Sequence, residues 1–453
     1  MTHDVIVCGA GPAGSATARR LASGGVRVAL VGMDSRRGWE GLSARSCALL
    51  VEEGFGEGLQ ESQEDGLQEG SGEAARIIAG PFARRGEWAN GRSVEGTEWL
   101  VERSHLARAL RAGAMAAGAD SRMDVATQVR RTGDTWQVRL RGGDALAAPL
   151  LVDARGRRGA QRRGPLLLAI GQRFRLREAG GVAGTGIGAI DAGWCWWARN
   201  GHLLWVQVVG LPRAAHPSTW VRRAAAQIPA LARALDGASA DGEAVASAAH
   251  ARLGAAAVGL GRWPVGDAAL ALDPLSGQGV YEALRGARLV ATAIQSVLGG
   301  GDVRLAQRFI AERHEAAWQR GVRAAAGFYR ENEARGGFWT DTAAAYEALL
   351  PPGGAGMGLH IEARVERRPV LDRGRILERD VIVTAAEPRG VWRVAGVPVA
   401  ELKGYLETAA AATLPGAAAA LDCPQAAVTS ALHWLQESGA MSRQSPSRVS
   451  SGG

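Results

Sequence analysis

The chain opens on a short apolar run that breaks into glycines and then takes up the period of a helix. Residues 5–8 (VIVC) are apolar throughout, as in a strand buried on both faces, and residues 12–22 repeat apolar positions along one helix face. Two further short, mostly apolar runs lie at 26–31 (VRVALV) and 150–153 (LLVD). Because parallel strands covered by helices read as such runs, this part of the chain is predicted to be α/β.

A different pattern, the alternation of apolar and polar positions, occupies the middle of the chain. Residues 76–100 and 165–210 contain runs such as QRFRLR and HLLWVQVVG, which are typical of antiparallel strands with one buried face. In the run GWCWW, the alternation places Trp194 and Trp196 on the same face of a strand. Two interpretations stay open for these indoles: ordinary aromatic packing within a sheet, or the walls of a flat pocket of indole size.

Breaks in the pattern indicate a separate C-terminal module. Residues 301–345 keep a helical period, and PPGGAGMG at 351–358 reads as a linker. Beyond it, two or three strands over 362–395 precede two amphipathic helices, an order that resembles a small winged-helix module. Its second helix carries almost no arginine or lysine on its polar face, which favours a grip on protein or peptide, or structural closure, over DNA binding.

Composition narrows the class of partner. The net charge of +8 comes almost wholly from arginine, since Lys403 is the only lysine, and the inflated alanine and glycine content indicates a GC-rich coding bias. There is no run of about 18 apolar residues that would span a bilayer, and the scattered cysteines show neither a disulfide framework nor metal-binding spacing. With the first strand beginning at Val5, there is no room for a cleavable leader. We therefore expect a cytoplasmic protein without metal, membrane or nucleic-acid partners.

The glycines after the first strand fit the pattern G-x-G-x-x-G. Gly9 permits the tight turn, Gly11 lets the backbone approach a pyrophosphate, and Gly14 lets the following helix pack closely on the strand. Such a strand, turn and helix predict a dinucleotide site at the helix N-terminus. The acid that would bind the adenosine ribose is missing, because Gly32 stands at its position. Either Asp34 takes its place from a longer turn, or backbone and water hold the ribose.

Two later segments add to this glycine pattern. The run LLVDARGR (150–157) ends its strand on Asp153 and a glycine turn, and residues 261–294 contain VGDAA, then DPLSGQGV and a long helix. Together these motifs resemble the FAD-dependent monooxygenases of the para-hydroxybenzoate hydroxylase type over residues 4–330. The resemblance implies a Rossmann-like FAD-binding domain with an interleaved β-sheet substrate domain, to which the small C-terminal winged-helix-like domain is added.

The resemblance also implies cofactors and their contacts. FAD would be reduced by NAD(P)H at the surface, since the sequence shows no second nucleotide-binding pattern, and dioxygen would be the co-substrate. Asp267 would accept a hydrogen bond from the ribityl chain, and the first N–H groups of the helix after DPLSGQG would face the flavin ring and stabilise its reduced form. For Arg45 and Arg103, a surface role at a helix end stays open. The predicted cofactor-binding residues are Gly9, Gly11, Gly14, Asp34, Arg45, Arg103, Asp153, Gly266, Asp267, Gly277, Gly279 and Val280.

The reaction is indicated by two further resemblances. The aromatic strand and the FY and FW pairs of residues 328–339 resemble flavin-dependent tryptophan halogenases, but these need a lysine between flavin and substrate, and Lys403 lies in the C-terminal module. Taken with GWEGLSAR and the appended module, the pattern resembles the flavoprotein monooxygenases that build tryptophylquinone cofactors, as in maturation of quinohemoprotein amine dehydrogenase. Such enzymes hydroxylate a tryptophan side chain inside a partner protein. The predicted catalytic residues are Glu40, Pro274, Gly277, Trp194 and Trp196.

Distinct roles are expected within this site. Pro274 and Gly277 would shape a dry pocket beside the reacting edge of the flavin. Glu40 would accept or orient the indole N–H proton, and is a better candidate for this role than His105 or His202.

Other functions stay open on the sequence alone. They are hydroxylation of a small aromatic or a natural-product indole, flavin-dependent reduction of a prenyl lipid, and a non-catalytic role as a flavoprotein chaperone. The expected partner is a small protein or peptide that carries the target tryptophan. The predicted segments are FAD-binding over 1–75, 101–164 and 259–350 (the last with additional helices), substrate-domain strands over 76–100, a substrate-covering sheet over 165–258 and the winged-helix-like domain over 359–445.

Overall fold

The computed structural model of the protein describes residues 3–33, 38–55, 78–87, 93–157, 162–177, 184–211, 217–254, 261–351, 363–409 and 412–441. The chain divides into two compact units. The first comprises Met1–Gln295 and Arg313–Pro351, and the second comprises Ser296–Glu312 and Pro352–Gly453. Asp34 and most of the predicted linker lie outside the described residues.

The helices and strands are numbered in chain order. The first unit contains strands β1 Val5–Cys8, β2 Val28–Val31, β3 Trp39–Leu42, β4 Ile78–Glu87, β5 Ser93–Glu102, β6 Asp120–Arg122, β7 Ala126–Thr132, β8 Thr135–Leu140, β9 Ala145–Ala148, β10 Leu150–Asp153, β11 Arg162–Arg163, β12 Leu168–Arg175, β13 Thr185–Ile190, β14 Gly193–Asn200, β15 Leu203–Gly210, β16 Ser239–Ala240, β17 Val245–Ala248, β18 Arg252–Leu253, β19 Arg262–Pro264 and β20 Leu270–Ala271. Its helices are α1 Pro12–Ser23, α2 Ala44–Leu50, α3 Arg103–Ala116, α4 Pro217–Ala225, α5 Pro229–Ala234, α6 Gly279–Leu298, α7 Val303–Arg330 and α8 Gly337–Glu347, of which α6 and α7 include residues of both units. The second unit adds β21 Arg364–Asp372, β22 Arg375–Val383, β23 Arg393–Val394, β24 Val397–Pro398, α9 Val399–Thr408, α10 Leu414–Ala420 and α11 Gln425–Glu437.

A five-stranded parallel sheet, in the order β19-β10-β1-β2-β6, forms the centre of the α/β part. Every residue of β1 is fully buried. The reason is that α1 packs on one face of the sheet, while the small antiparallel sheet β7-β8-β9 covers the other face with Trp136 and Val138. Strands covered on both faces need apolar side chains at every position, which is the pattern that predicted them. The α/β prediction is confirmed.

A nine-stranded sheet forms the remaining large layer of the first unit. Its strands follow the order β16-β12-β15-β14-β13-β4-β5-β3, with β17 beside β12. The two groups of alternating strands in the sequence meet in this sheet through the parallel pair β13 and β4. Trp194, Trp196 and Trp205 belong to the core on one face, and Trp197 belongs to the core on the other face, together with residues of α4 and α5. The predicted alternation along β14 is confirmed.

Within the second unit, β21 and β22 form a hairpin, and three helices surround a core that includes Ile382, Leu402 and Val428. The sequence predicted only two of these helices. The third, α10, was missed because its residues, LPGAAAA, provide no polar face and therefore no amphipathic period. It begins after Thr413, whose hydroxyl oxygen accepts a hydrogen bond from the Gly416 N–H at 3.1 Å. The winged-helix assignment stays a prediction.

The described residues also bear on membranes and metals. No helix among them is both long and apolar enough to cross a bilayer. In the same part of the chain, histidine, cysteine and acidic side chains do not gather in groups of three or more that could hold a metal ion.

His314 on α7 is expected to make the protein less stable as the pH falls. Burial, together with the nearby charge of Arg285, lowers the pKa of His314 to about 4, from an ordinary value of 6.5. Between these two values the unfolded chain binds a proton that the folded protein does not, so stability is full above pH 6.5 and falls by up to about 3 kcal/mol toward pH 4. Urea unfolding at the two ends of this window measures the loss, which should shrink in His314→Gln. An equal pH dependence in the variant would contradict this assignment.

Candidate active site

A cleft with a volume of about 840 Å³ opens in the first unit. Its walls are the turns that follow β1 and β10, the starts of α1 and α6, the motifs VGDAA and DPLSGQG, and one face of the nine-stranded sheet. The volume lies within the range of roughly 300–1,000 Å³ that is usual for ligand and cofactor sites. The cleft therefore brings together the glycine-containing motifs and the aromatic sheet.

The glycine turn between β1 and α1 has the geometry that a dinucleotide requires. Gly9 has a φ of +114°, and a Cβ atom on it would overlap the Ala154 carbonyl oxygen. A Cβ on Gly14 would overlap the Gly9 carbonyl, whereas a Cβ on Gly11 would meet no atom within 4 Å. No side chain caps the N-terminus of α1, so its first N–H groups and the positive end of its dipole are available to a phosphate. This turn fits the pyrophosphate of FAD.

Packing explains why no acid stands at the end of β2. A Cβ atom on Gly32 would overlap the backbone nitrogen and the side chain of Ala10. The strand end and the glycine turn are therefore too close for a carboxylate at this position. The alternative, a ribose contact from Asp34, falls outside the described residues and stays a prediction.

The motifs VGDAA and DPLSGQG form a second wall. The Asp267 carboxylate accepts a hydrogen bond from Arg157 Nε at 2.9 Å, and Arg157 Nη1 donates to the His250 carbonyl at 2.8 Å. These bonds fix the turn that carries Asp267. Gly277 has a φ of +62°, and Cβ atoms on Gly277 and Gly279 would both enter open space. The start of α6 is therefore open to the cleft, where its N–H groups favour a ligand that gains negative charge.

Asp273 lies behind this turn in a network of buried polar side chains. It is 2% exposed. Its carboxylate accepts hydrogen bonds from the hydroxyls of Tyr346 (2.6 Å) and Tyr329 (3.2 Å) and from the Leu275 N–H (2.9 Å). Trp194 Nε1 donates to the Tyr329 oxygen at 3.3 Å. Burial raises the pKa of Asp273, although these hydrogen bonds oppose the rise. The network ties the DPLSGQG turn to α7, α8 and the aromatic strand β14.

The structure divides the predicted catalytic residues. Those that line the cleft are Glu40, Pro274, Gly277 and Trp196. Trp194 is 2% exposed and does not line it, because its indole packs behind the wall against Tyr329. Of the two interpretations left open for this indole, its position fits packing within the sheet. Glu40 was predicted to accept or orient the indole N–H proton. Its carboxylate forms an ion pair with Arg103.

The predicted cofactor-binding residues divide in the same way. Arg45 is exposed on α2 and does not line the cleft. Asp153 is 3% exposed, does not line the cleft and is held by Arg155 (2.9 Å) and Arg262 (2.5 Å), contacts that support the turn after β10. Burial alone would raise the pKa of Asp153, but these two arginines outweigh it and lower the pKa to about 2. The predicted residues that do line the cleft are Gly11, Gly14, Arg103, Gly266, Asp267, Gly277, Gly279 and Val280.

Several cleft residues were missed. Trp39, Arg84, Glu98 and Gln207 come from four strands that are far apart in the sequence, and they meet only through the register of the nine-stranded sheet. Arg157 could have been found, because it stands in the DARGR run just after a parallel strand, at the sheet edge where the glycine turn also lies.

The described residues that line the cleft include no lysine. Lys403, the only lysine of the sequence, lies on α9 in the second unit, where it forms an ion pair with Glu407.

Comparison with known proteins places this site in a family. No protein-family model matches the sequence, and no curated protein matches it at a significant level. Among solved structures, the chain is similar to the peptidyl tryptophan dihydroxylase QhpG, essential for tryptophylquinone cofactor biogenesis, with 30% identity and a TM-score of 0.76 over 97% of this chain and 100% of that chain. It is also similar to the flavin-dependent halogenase CmlS (17% identity, TM-score 0.67, 97% and 95% of the two chains) and to the flavin-dependent brominase Bmp2 (19% identity, TM-score 0.60, 77% and 90%).

These likenesses carry different weight. At below 25% identity, the two halogenases show a shared fold, and they confirm the predicted FAD-binding architecture with its interleaved sheet. The likeness to QhpG is higher in identity and extends over nearly the whole of both chains. The predicted resemblance to the monooxygenases of tryptophylquinone biogenesis is thereby confirmed. The chain belongs to the family of the peptidyl tryptophan dihydroxylase QhpG, among the FAD-dependent monooxygenases.

Proposed function

We propose that the protein hydroxylates a tryptophan side chain carried by another protein, as a step in the biogenesis of a tryptophylquinone cofactor. The observation that carries this proposal is the 30% identity with QhpG over 97% of this chain and 100% of that chain. FAD is the cofactor, NAD(P)H is its reductant, and dioxygen is the source of the inserted oxygen.

The cleft supports this proposal in its composition. Trp39 and Trp196 give its sheet-side wall a flat apolar surface with little exposure to water, 3% and 8% respectively, and Ile187 extends it. Such a wall suits a planar, electron-rich ring.

The residues of the chain would divide the work between cofactor and acceptor. The start of α1 would hold the FAD pyrophosphate, Gly266 and Asp267 would hold the ribityl chain, and the start of α6 would hold the ring. Bound FAD would supply two-electron redox chemistry and, once reduced, the activation of dioxygen. The buried network behind Asp273 keeps the DPLSGQG turn in one position, and Pro274 and Leu275 exclude water from the neighbouring wall.

The acceptor class can be tested with FAD-loaded protein and two acceptors. One is the unmodified precursor of the tryptophylquinone-bearing subunit of quinohemoprotein amine dehydrogenase, and the other is free tryptophan. We expect the precursor to be modified at tryptophan and to accelerate NAD(P)H oxidation, with free tryptophan unchanged. Equal or faster conversion of free tryptophan would favour a small-indole hydroxylase, and no oxygen uptake with either acceptor would favour a reductase or a chaperone.

Halogenation is expected to be absent. Flavin-dependent tryptophan halogenases use a lysine between flavin and substrate, and the only lysine here, Lys403, is engaged by Glu407 on α9. With FAD, a reductant, tryptophan acceptors and excess chloride or bromide, mass spectrometry should therefore find no halogen in any product. A chlorinated or brominated indole, at a yield above that of heat-inactivated protein, would contradict the assigned chemistry.

A further inference from the structure

Glu98 is a buried carboxylate in the wall of the cleft. It lies on β5, opposite Phe82 of β4, and it is 7% exposed. Its Oε2 accepts a hydrogen bond from Trp196 Nε1 at 3.2 Å. Strands β13 and β4 lie between β5 and β14 in the sheet order, so this contact requires the sheet to curl around the cleft. The contact places the carboxylate and the indole on one concave wall.

Among the described residues, no cationic side chain forms an ion pair with Glu98. Four other acidic residues line the described cleft wall, and each is held by an arginine or by tyrosine hydroxyls: Glu40 by Arg103, Asp267 by Arg157, Glu282 by Arg285, and Asp273 by Tyr329 and Tyr346. Among the described residues, the indole N–H of Trp196 is the one group that donates a hydrogen bond to Glu98. Burial of a carboxylate without an ion pair costs free energy of folding. Because Glu98 lies in a cleft wall, its position indicates that a ligand in the cleft completes its hydrogen bonding.

The second oxygen of Glu98 lies beside a glycine. A Cβ atom on Gly41 of β3 would overlap Glu98 Oε1. Gly41 also lines the cleft. The glycine therefore leaves the space that the Glu98 carboxylate occupies in the cleft wall.

We infer that Glu98 accepts the indole N–H of the acceptor tryptophan during hydroxylation, and that Trp196 holds its carboxylate in place. The inference rests on the proposed function. The hydrogen bond from Trp196 shows that the carboxylate accepts an indole N–H in this wall.

The chemistry balances with the components of the proposed reaction. Bound FAD, once reduced, would supply with dioxygen an electrophilic oxygen atom. The indole ring attacks this oxygen with two π electrons, and the new C–O bond leaves a cation delocalised onto the indole nitrogen. Glu98 takes the N–H proton and neutralises this cation. Loss of the proton from the hydroxylated carbon and return of a proton to nitrogen restore the aromatic ring, and the second oxygen atom leaves as water.

The test is Glu98→Gln, which keeps the side-chain shape and an oxygen that can accept from Trp196. With the precursor subunit as acceptor, we expect FAD retention within twofold of wild type and a fall of about 100-fold or more in hydroxylated product, the usual range for loss of a general base. NAD(P)H oxidation should continue and release hydrogen peroxide.

Trp196→Phe and Trp205→Phe form a matched pair of controls. Both remove an indole from the same core. The Trp205 Nε1 has no hydrogen-bond partner among the residues that the structure describes, whereas the Trp196 Nε1 holds Glu98. Loss of coupling between NAD(P)H use and product should therefore be larger in Trp196→Phe.

The outcomes separate this inference from the proposed function. If wild type with bound FAD leaves the precursor unmodified, the proposed function is wrong and the inference falls with it. If wild type makes product and Glu98→Gln makes as much, only the inference is wrong. Loss of FAD together with product in Glu98→Gln would assign the residue to the cofactor and would also overturn the inference.

Discussion

Gly11→Asp is expected to abolish FAD retention while leaving the fold intact. A Cβ atom on Gly11 meets no protein atom within 4 Å, and its φ of −73° and ψ of −178° suit any residue, so the substitution creates neither overlap nor strain. The new carboxylate would stand at the open N-terminus of α1, in the space that fits a pyrophosphate, and would repel it. We expect the dissociation constant of FAD to rise by more than about 100-fold, measured by fluorescence titration of the apoprotein.

Gly327→Asp is the matched control for this change. Gly327 is exposed on α7, does not line the cleft, and would also accept a Cβ without contact. The control adds the same charge and should bind FAD as wild type does. The account of the glycine turn fails if Gly11→Asp binds FAD as tightly as the control.

Asp273→Ala is expected to cause the largest loss of stability in the cleft wall. The change leaves the hydroxyls of Tyr329 and Tyr346 buried without their acceptor and removes the cap of the Leu275 N–H. Each buried polar group without a partner costs roughly 1–3 kcal/mol, so we expect unfolding of the apoprotein to become easier by about 3 kcal/mol in urea.

Asp273→Asn separates loss of the network from loss of charge. The amide oxygen can still cap the turn, and the tyrosine hydroxyls can rotate to accept from the amide nitrogen. We expect a loss of about 1 kcal/mol or less for this variant. Equal losses for the alanine and asparagine variants would contradict the view that hydrogen bonding, and not the negative charge, holds this turn.

The parts of the site that the sequence predicted are those that lie within short, continuous motifs. Gly9, Gly11 and Gly14 follow one strand directly, and their spacing reflects a local turn in which Gly9 and Gly14 leave no room for a Cβ atom and Gly11 leaves open space beside the backbone. The missing acid after β2 was noted, but its cause, the close approach of Gly32 to Ala10, depends on how two strands sit side by side.

The parts that the sequence could not predict depend on pairing across the nine-stranded sheet. Glu98 and Trp196 are separated by two intervening strands, and no periodicity within β5 or β14 marks their contact. Alternation correctly placed Trp194 and Trp196 on the same face of β14. It could not predict that Trp196 lies at the cleft and that Trp194 packs against residues of α7 and α8, because this depends on which elements cover each part of the sheet. The ion pair between Glu40 and Arg103 was not foreseen for the same reason, since it forms because β5 pairs with β3 and leads directly into α3.

The most direct test of the proposed reaction is mass spectrometry of the precursor subunit after turnover under isotopically labelled dioxygen. FAD-loaded protein, NAD(P)H and the unmodified precursor should yield one or two labelled oxygen atoms on a single tryptophan side chain, and none when FAD, reductant or protein is omitted. The proposed function would be contradicted if the precursor stays unmodified while NAD(P)H and dioxygen are consumed, or if the oxygen found on the tryptophan comes from water.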